Sequence, residues 1–360
     1  MNSAVRWMSA FLFSSGILAG TQAGIGQTVA LDKEPACQTL EAASVGGPRP
    51  SNPDVLVLRY LGRANYEVDY RGKVLLLDAY YDNSRPPFGE PFGIKASDVT
   101  KADAILVGHT HGDHFVDAPS IAKRTGATVY LAPPGLKYVE SQGLPAPQIK
   151  IVRGGETLKG NGFTIQTALG IHMPVSASDL ADYRDFALKA DPPTEDQKAQ
   201  LASFRKSQPV ASVQDFNNPD SDTIYHGTIV YVITFDSGFR LVYSDTAGVL
   251  SGGEQVLANS IHSGGGKIDL AILGYLDAGF NVPLAIQRTA SRVNAWQPSI
   301  LLPSHHHDGE KDELPDMPTA PLFNTLRDQA PKTRSIELLY RSAVCVNTKT
   351  KEFYVGNYAR

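Results

Sequence analysis

The sequence predicts a mixed α/β protein whose main folded part begins at Val55. Short apolar runs rich in strand-forming residues, such as 104–107 and 268–273, recur along the chain between turn signals. Segments with helical periodicity lie between them, and this arrangement of strands with a few helices appears twice. The chain has 360 residues, 42% of them hydrophobic. It is therefore long enough to bury one large core or two smaller ones.

The first strand-rich part follows an N-terminal arm, residues 24–54, which shows no clear periodicity. Strands are predicted at residues 55–61, 66–70, 74–77, 104–107, 127–131, 149–152 and 162–169, and helices at 118–124 and 136–141. Residues 80–93 are rich in proline, glycine and aromatic residues. This loop either lines a substrate entrance or packs on the surface.

The second strand-rich part begins with a hairpin, residues 227–235 and 239–243, around the turn Asp236-Ser237-Gly238. Further strands are predicted at 268–273, 300–302, 335–345 and 352–354, and a helix at 282–296. Between the two parts, residues 177–220 are charged and partly helical, with a break at Asp191-Pro192-Pro193. This pattern is equally consistent with a lid over a site and with a helical insertion away from it.

The first 23 residues have the pattern of a secretory signal. Arg6 precedes an apolar run, residues 7–19, and Thr21-Gln22-Ala23 offers a cleavage site between small residues. The run is short for a membrane span, so a retained anchor is the weaker alternative and no stable membrane span is expected. We expect an exported protein, periplasmic or secreted.

The two cysteines, Cys37 and Cys345, lie near the two ends of the chain and outside any metal-binding spacing. In an exported protein they predict one disulfide, with two free thiols as the alternative. The formal net charge of −4 comes without a basic block. Nucleic acid is therefore not an expected partner.

The most informative stretch is residues 107–115, Val-Gly-His-Thr-His-Gly-Asp-His-Phe, directly after a predicted buried strand. If the backbone stays extended, residues two apart point the same way, so His109 and His111 can share one cation. Gly112 permits a sharp turn that aims Asp113 and His114 at a second point nearby. Imidazole and carboxylate ligands suit zinc, with iron or manganese as alternatives.

Three histidines and an aspartate in this order favour a metal site over three unrelated polar histidines at a strand end. The pattern His-x-His-x-Asp-His resembles the metallo-β-lactamase superfamily, and the resemblance covers roughly residues 55–307. It implies a four-layer αββα sandwich, an architecture that the strand pattern alone does not show.

The resemblance also implies further ligands, each just after a strand, and His172, Asp245 and His305 occur in the expected order. His109, His111 and His172 would hold a first metal ion, and Asp113, His114 and His305 a second. Asp245 would bridge the two. Such a pair of ions shares a hydroxide that attacks the substrate at neutral pH. The resemblance thus gives Asp113 and Asp245 catalytic roles, with Asp113 as a further proton relay.

Four further residues outside this ligand set also bear on the site. Asp78, after the predicted strand 74–77, is expected to support the ligands by hydrogen bonds, or else to cap a turn. Tyr275 is a candidate substrate contact. His305 fits the Pro-x-His pattern best, but His307 points to the same side of an extended backbone and competes as ligand or substrate contact. Arg63 stands where many relatives have a histidine, so that histidine's role is absent.

An aspartate at the bridging position argues against a true β-lactamase. The Leu-Gly-x-Ala and Leu-Gly-Tyr segments resemble the branch of ascorbate-6-phosphate lactonases and N-acyl-phosphatidylethanolamine phospholipase D. We therefore expect a binuclear zinc hydrolase of a phosphodiester or cyclic ester (lactone), with a small-molecule or lipid-like substrate. The alternatives are a mononuclear iron dioxygenase of the same superfamily and a metal-binding relative without catalysis. The sequence leaves the oligomeric state open.

Overall fold

The computed structural model describes residues 30–81, 93–173, 227–276, 281–306 and 317–356. The predicted signal segment 1–23, the insertion at 177–220 and His307 lie outside these residues. Within the described part, no helix combines the length and apolar character needed to cross a bilayer.

Fifteen strands lie within the described residues. They are β1 (Val55–Tyr60), β2 (Tyr66–Tyr70), β3 (Lys73–Leu77), β4 (Ala104–Leu106), β5 (Thr128–Leu131), β6 (Ile149–Ile151), β7 (Thr157–Lys159), β8 (Phe163–Leu169), β9 (Ile229–Phe235), β10 (Arg240–Ser244), β11 (Leu270–Gly274), β12 (Ile300–Ser304), β13 (Arg334–Ser335), β14 (Ala343–Asn347) and β15 (Phe353–Val355).

The α-helices of the described residues are α1 (Pro35–Gln38), α2 (Gly112–Phe115), α3 (Ala118–Thr125), α4 (Leu136–Ser141), α5 (Gly252–Ser263), α6 (Val282–Trp296) and α7 (Thr319–Gln329). Short 3-10 helices occupy Leu31–Lys33, Ala43–Val45, Ala96–Asp98, Pro133–Gly135 and Ala146–Gln148.

The strands form two mixed sheets with similar construction. The first has the order β15-β14-β1-β2-β3-β4-β5-β6, and the second has the order β13-β12-β11-β10-β9-β8-β7. In the first sheet β1, β2 and β3 are antiparallel, and β3 to β6 are parallel. In the second, β7 to β10 are antiparallel, and β10 to β13 are parallel.

Both sheets are covered on both faces, because their strands alternate two sets of apolar side chains. In β9, Tyr231 and Ile233 join the core between the sheets, whereas Val230 and Val232 pack toward the outer helices. A separate outer core covers the first sheet and includes Ile121 of α3. The protein therefore has four layers, helix–sheet–sheet–helix. This confirms the predicted αββα architecture.

Most predicted elements are present with small changes at their ends, but four differ. The predicted strand at 335–345 is wrong, because the chain forms β13, turns through residues 340–341 and forms β14 only from Ala343. Helices α5 and α7 and strand β7 were not predicted. Helix α5 begins with two glycines, which obscure its periodicity, although Ser251 and Glu254 form a capping box at its N-terminus.

The N-terminal arm is held to the first sheet at its outer face. Cys37 of α1 forms a disulfide with Cys345 of β14, as predicted. Glu67 on β2 accepts the backbone N–H groups of Ala43 and Ser44 at 2.7 and 2.9 Å. The described part of the arm is thus a packed element of the fold.

Candidate metal centre

The predicted ligands gather at one edge of the sandwich, because the strands that precede them run in the same direction within each sheet. In the first sheet, Asp78 follows β3, and His109 follows β4. In the second sheet, His172, Asp245 and His305 follow β8, β10 and β12. Residues scattered over almost 230 positions therefore meet at the seam between the sheets.

His109, His111 and His172 form a first ligand set. The Nε2 atom of His109 lies 3.0 Å from Nδ1 of His111 and 3.2 Å from Nε2 of His172. Each residue offers one ring nitrogen to a common point, with the nitrogens within 4.8 Å of one another. The extended backbone at His111 gives the two motif histidines the shared direction that the sequence predicted.

Asp113, His114 and His305 form a second ligand set. Helix α2 begins at Gly112 and carries Asp113 and His114. The Nε2 atoms of His114 and His305 are 3.1 Å apart. Oδ2 of Asp113 lies 3.6 and 3.8 Å from these two nitrogens. The second set therefore also converges on one point.

In three of these histidines, the Nδ1 atom on the far side of the ring from the converging Nε2 atom lies beside a hydrogen-bond acceptor. Nδ1 of His172 donates to the backbone oxygen of Met173 at 2.5 Å. Oδ2 of Asp245 lies 2.6 Å from Nδ1 of His109 and 3.1 Å from Nδ1 of His114. Oδ2 of Asp78 lies 2.5 Å from Nδ1 of His114, and Oδ1 accepts the N–H of Gly108. Such acceptors fix the tautomer of a ligating histidine, so these contacts suit the supporting role predicted for Asp78, which stays a prediction.

The first ligand set fits a cation because the lone pairs of two of its histidines face each other. With their Nδ1 atoms donating, His109 and His172 present bare Nε2 lone pairs 3.2 Å apart, an arrangement that is repulsive unless a positive charge lies between them. Two nitrogen ligands of a tetrahedral zinc ion are about 3.3 Å apart for Zn–N bonds of about 2.0–2.1 Å. The spacing and the nitrogen and oxygen donors therefore suit a zinc-like ion.

Asp245 is packed against the backbone of Gly108. A β-carbon on residue 108 would lie 2.2 Å from Cγ of Asp245, so only glycine leaves room for the carboxylate. Asp245 is fully buried, and its Oδ1 atom has no hydrogen-bond partner among the described residues. In this structure Oδ2 contacts the Nδ1 atoms of His109 and His114, the ring atoms opposite the converging Nε2 atoms. The bridging role of Asp245 stays a prediction.

Three of the seven non-glycine residues with positive φ among the described residues lie at this edge. Arg63, Asp78 and His305 adopt positive φ values of 51°, 62° and 56°, a left-handed conformation that is unfavourable for residues with a β-carbon. Such strain costs on the order of 1–3 kcal/mol per residue and persists where the surroundings enforce it, often at functional sites. The strain places the side chains of two predicted site residues and of Arg63 at the seam.

The electrostatics of the site depend on three carboxylates, of which Asp78 and Asp245 are buried and Asp113 is partly exposed. Burial alone would lower the pKa of His114, but Asp113, Asp78 and Asp245 outweigh burial and hold it well above its ordinary value. Burial and the charge of Asp245 raise the pKa of Asp78 to about 7. Burial opposes ionisation of Asp245, but His109 and His114 keep its pKa well below the usual range.

The remaining predicted residues are placed differently. Tyr275 is fully buried in the outer core, and its hydroxyl donates to the backbone oxygen of Pro318 at 2.9 Å. It is a core residue, so the predicted substrate contact is wrong in this structure. His306 stacks on Tyr60 with ring centroids 6.4 Å apart, away from the two ligand sets. His307 lies beyond the described residues.

We expect His305→Ala to lower the occupancy of the second ligand set, and His306→Ala to leave it nearly unchanged. His305 contributes a nitrogen 3.1 Å from that of His114, whereas His306 faces Tyr60. Metal content after dialysis against a weak chelator measures the difference, and His306→Ala is the matched control. A larger loss in His306→Ala, or in His307→Ala, would show that the predicted register at this strand end is wrong.

Two supporting features were not predicted from the sequence. Arg63 donates from Nη1 to Oδ2 of Asp113 at 3.0 Å, although nothing in the sequence pairs these residues. A buried ion pair joins Arg292 to Glu254 at 2.8 Å, and Arg292 also donates to the backbone oxygen of Thr246. Thr246 follows Asp245 directly, so this pair supports the loop that holds the carboxylate. The capping box at Ser251 was the only sequence signal for Glu254.

Comparison with known proteins agrees with this fold. Residues 73–180 match the family model described as a β-lactamase superfamily domain, and that segment contains the first ligand set, Asp113 and His114. A UPF0173 metal-dependent hydrolase of Methanopyrus kandleri is 33% identical over 108 residues, 30% of this chain and 44% of that protein. One from Rubrobacter xylanophilus is 27% identical over 194 residues, 53% of this chain and 60% of that protein. The chain thus covers less than two thirds of these curated relatives.

Among solved structures, Igni18, a metallo hydrolase from Ignicoccus hospitalis, superimposes with a TM-score of 0.50 and 13% identity, covering 81% of this chain and 98% of that one. At this identity the likeness concerns the fold alone. The chain has the metallo-β-lactamase fold, and residues 73–180 carry the sequence features of that superfamily's domain. The finer likeness to the lactonase and phospholipase D branch stays a prediction.

Proposed function

We propose that this protein is a metal-dependent hydrolase of a phosphodiester or a cyclic ester (lactone), acting outside the cytoplasm. One observation carries the proposal: six side chains form two ligand sets whose nitrogen and oxygen atoms converge 3.0–3.8 Å apart at one edge of the sandwich. The curated relatives, named metal-dependent hydrolases, support the reaction class.

Two divalent ions, most simply Zn²⁺, fit these sets, with Mn²⁺ or Fe²⁺ as alternatives because the donors are imidazole and carboxylate groups. The first set would hold one ion and the second set the other. When bound, such ions supply a Lewis acid and lower the pKa of a water molecule toward neutrality.

The chain's own residues would orient the ligating histidines and bury them. Met173 and Asp245 keep hydrogens on the Nδ1 atoms of His172 and His109, which leaves their Nε2 atoms free to ligate. His109, His114 and His172 are almost completely buried. The Asp113 side chain is 31% exposed, whereas those of Asp78 and Asp245 are fully buried. Asp113 is thus the carboxylate that faces a substrate.

Metal analysis and a substrate screen test the proposal together. We expect two equivalents of metal per chain at saturation, and turnover of a phosphodiester or a lactone but not of β-lactams. Protein from which the metal has been removed by a chelator, then reloaded, serves as the control. A single iron per chain with oxygen-dependent turnover would instead indicate the dioxygenase. Two bound metals without turnover of any ester would indicate an inactive relative.

A further inference from the structure

Three buried tyrosines reach across the core between the two sheets, close to the metal centre. Tyr66 lies on β2 of the first sheet, whereas Tyr231 and Tyr243 are paired neighbours on β9 and β10 of the second. All three are at most 1% exposed and belong to the apolar core between the sheets. A buried tyrosine hydroxyl usually has a hydrogen-bond partner, and each of these three has one in the opposite sheet or in a loop that extends from it.

The bond from Tyr231 ends beside the first ligand of the motif. Its hydroxyl donates to the backbone oxygen of Val107 at 2.8 Å, at the end of β4 and two residues before His109. Tyr231 lies on β9, which pairs with β8, and His172 follows β8. The bond therefore joins the two sheets near the strand ends that supply His109 and His172, which are members of the first ligand set from opposite sheets.

Tyr66 makes the corresponding bond for the second ligand set. Its hydroxyl donates to the backbone oxygen of Pro303 at 3.2 Å, two residues before His305. Tyr66 is paired with the last residue of β3, directly before Asp78, whose carboxylate contacts His114. The bond therefore connects the strand end that carries His305 to the strand end that positions its partner His114.

Tyr243 adds a third bond between the two halves of the sandwich. It lies two residues before Asp245, and its hydroxyl donates to the backbone oxygen of Ala64 at 3.2 Å, in the loop between β1 and β2. Burial and the carboxylate of Asp78 raise the pKa of Tyr243 well above its usual value, which places Asp78 near the same hydroxyl. Tyr243 therefore ties the strand end that carries Asp245 to the first sheet.

These bonds matter because each ligand set takes side chains from both sheets. Burial of apolar surface is non-directional and roughly proportional to area. It therefore specifies the register between two sheet faces less sharply than hydrogen bonds, which are restricted in length and angle. A binding constellation has to be held to within about 0.5 Å of its productive geometry. Hydrogen bonds that cross the core in both directions meet this requirement at the ends of the strands that carry the ligands.

We propose that Tyr66, Tyr231 and Tyr243 are positioning residues of the metal centre, whose hydroxyl groups hold the ligand-bearing ends of the two sheets where both ligand sets converge. The inference rests on the proposed metal centre and adds to it three residues outside the two ligand sets. The alternative is that these hydroxyls contribute only to the stability of the core. Their loss would then lower stability equally with and without metal, and it would leave the metal affinity of the folded protein unchanged.

Phenylalanine substitutions test the proposal, because they remove each hydroxyl and keep the ring in the core. Tyr275→Phe is the matched control, since Tyr275 is also fully buried and donates to a backbone oxygen, that of Pro318 at 2.9 Å, but in the outer core. Co²⁺ is titrated into the full-length, chelator-treated protein, and calorimetry and the visible absorption of the bound ion follow each step. His172→Ala and His305→Ala each lack one ligand and identify the step that belongs to each set.

We expect Tyr231→Phe to weaken Co²⁺ binding to the first set and Tyr66→Phe to weaken binding to the second, each by roughly 10-fold, the lower end of the effect of groups that orient ligands. Tyr243→Phe should weaken both, because Asp245 contacts a histidine of each set. Tyr275→Phe should leave both unchanged. Thermal unfolding gives a second measure. The three variants should lose part of the stabilisation that Co²⁺ adds, whereas Tyr275→Phe should shift the metal-free and loaded melting temperatures equally.

Two results would overturn the inference while leaving the metal centre in place. One is Co²⁺ affinities in Tyr66→Phe and Tyr231→Phe that match those in Tyr275→Phe. The other is an equal weakening of both sets in all four variants, which would indicate a general loosening of the fold. A wild type that binds no Co²⁺ would overturn the proposed function, and the inference with it. Circular dichroism confirms folding, and if one variant fails to fold, the others still decide by the set that they weaken.

Discussion

Asp245→Ala is expected to lower the hydrolytic turnover of the metal-loaded protein by roughly 100-fold or more, since loss of one orienting partner typically costs 10–100-fold. Asp245 contacts one histidine from each ligand set, His109 at 2.6 Å and His114 at 3.1 Å. Alanine would leave His109 with an unpaired buried Nδ1 atom and free its ring to change tautomer. Steady-state rates at saturating metal, with metal content measured in the same sample, check the effect.

Two further variants act as controls for this prediction. Asp245→Asn keeps the shape and one accepting oxygen but removes the charge, so it should retain more activity than alanine. Gly108→Ala leaves the carboxylate in the chain but places a β-carbon 2.2 Å from its Cγ atom, so it should reproduce much of the defect. Normal turnover in a metal-replete Asp245→Ala protein would remove this residue from the site.

Cys37→Ser is expected to lower the free energy of unfolding by up to about 5 kcal/mol, the chain-entropy value for a very long closed loop. The disulfide joins residues separated by 308 positions and holds the arm against β14. Engineered and natural bridges often contribute less than this upper value. Thermal and denaturant unfolding measure the loss, and metal content should stay unchanged because both cysteines lie away from the ligand sets.

The same bridge bears on our proposal of export, since disulfides persist mainly in oxidising compartments. Cys345→Ser and the double variant should show the same loss as Cys37→Ser. Intact-mass analysis of protein recovered outside the cytoplasm should find cleavage near Ala23 and no alkylatable thiol before reduction. Two alkylatable thiols in denatured, non-reduced protein would rule the bridge out.

The pattern of apolar residues alone predicted most of the strands. Both faces of each sheet are buried, so the strands appear in the sequence as continuous apolar runs. β1 to β4 and the helix α6 have nearly their predicted limits. Helices α5 and α7 escaped detection because their apolar faces are short and interrupted by polar residues. The strand predicted at 335–345 failed because apolar composition does not show where a chain turns between two sheets.

The first ligand motif could be predicted from the sequence because its residues are close together in the chain and follow a strand. The later ligands were found only through a family resemblance, which supplied their order along the chain. Contacts between residues that only the tertiary structure brings together could not be predicted from the sequence. The pairing of Arg63 with Asp113 joins residues 50 positions apart, and the burial of Tyr275 depends on the packing of α6 and α7. Sequence alone gave Tyr275 the wrong role for this reason.

Each ligand set takes side chains from both sheets. His109 and His111 come from the end of the first sheet and His172 from the second, while Asp113 and His114 meet His305 across the same seam. A bound ion would therefore act as a cross-link between the two halves. Binding to the native state alone adds about 2.7 kcal/mol of stability at a ligand concentration 100-fold above Kd. The melting temperature of this fold should thus rise with the metal concentration around it.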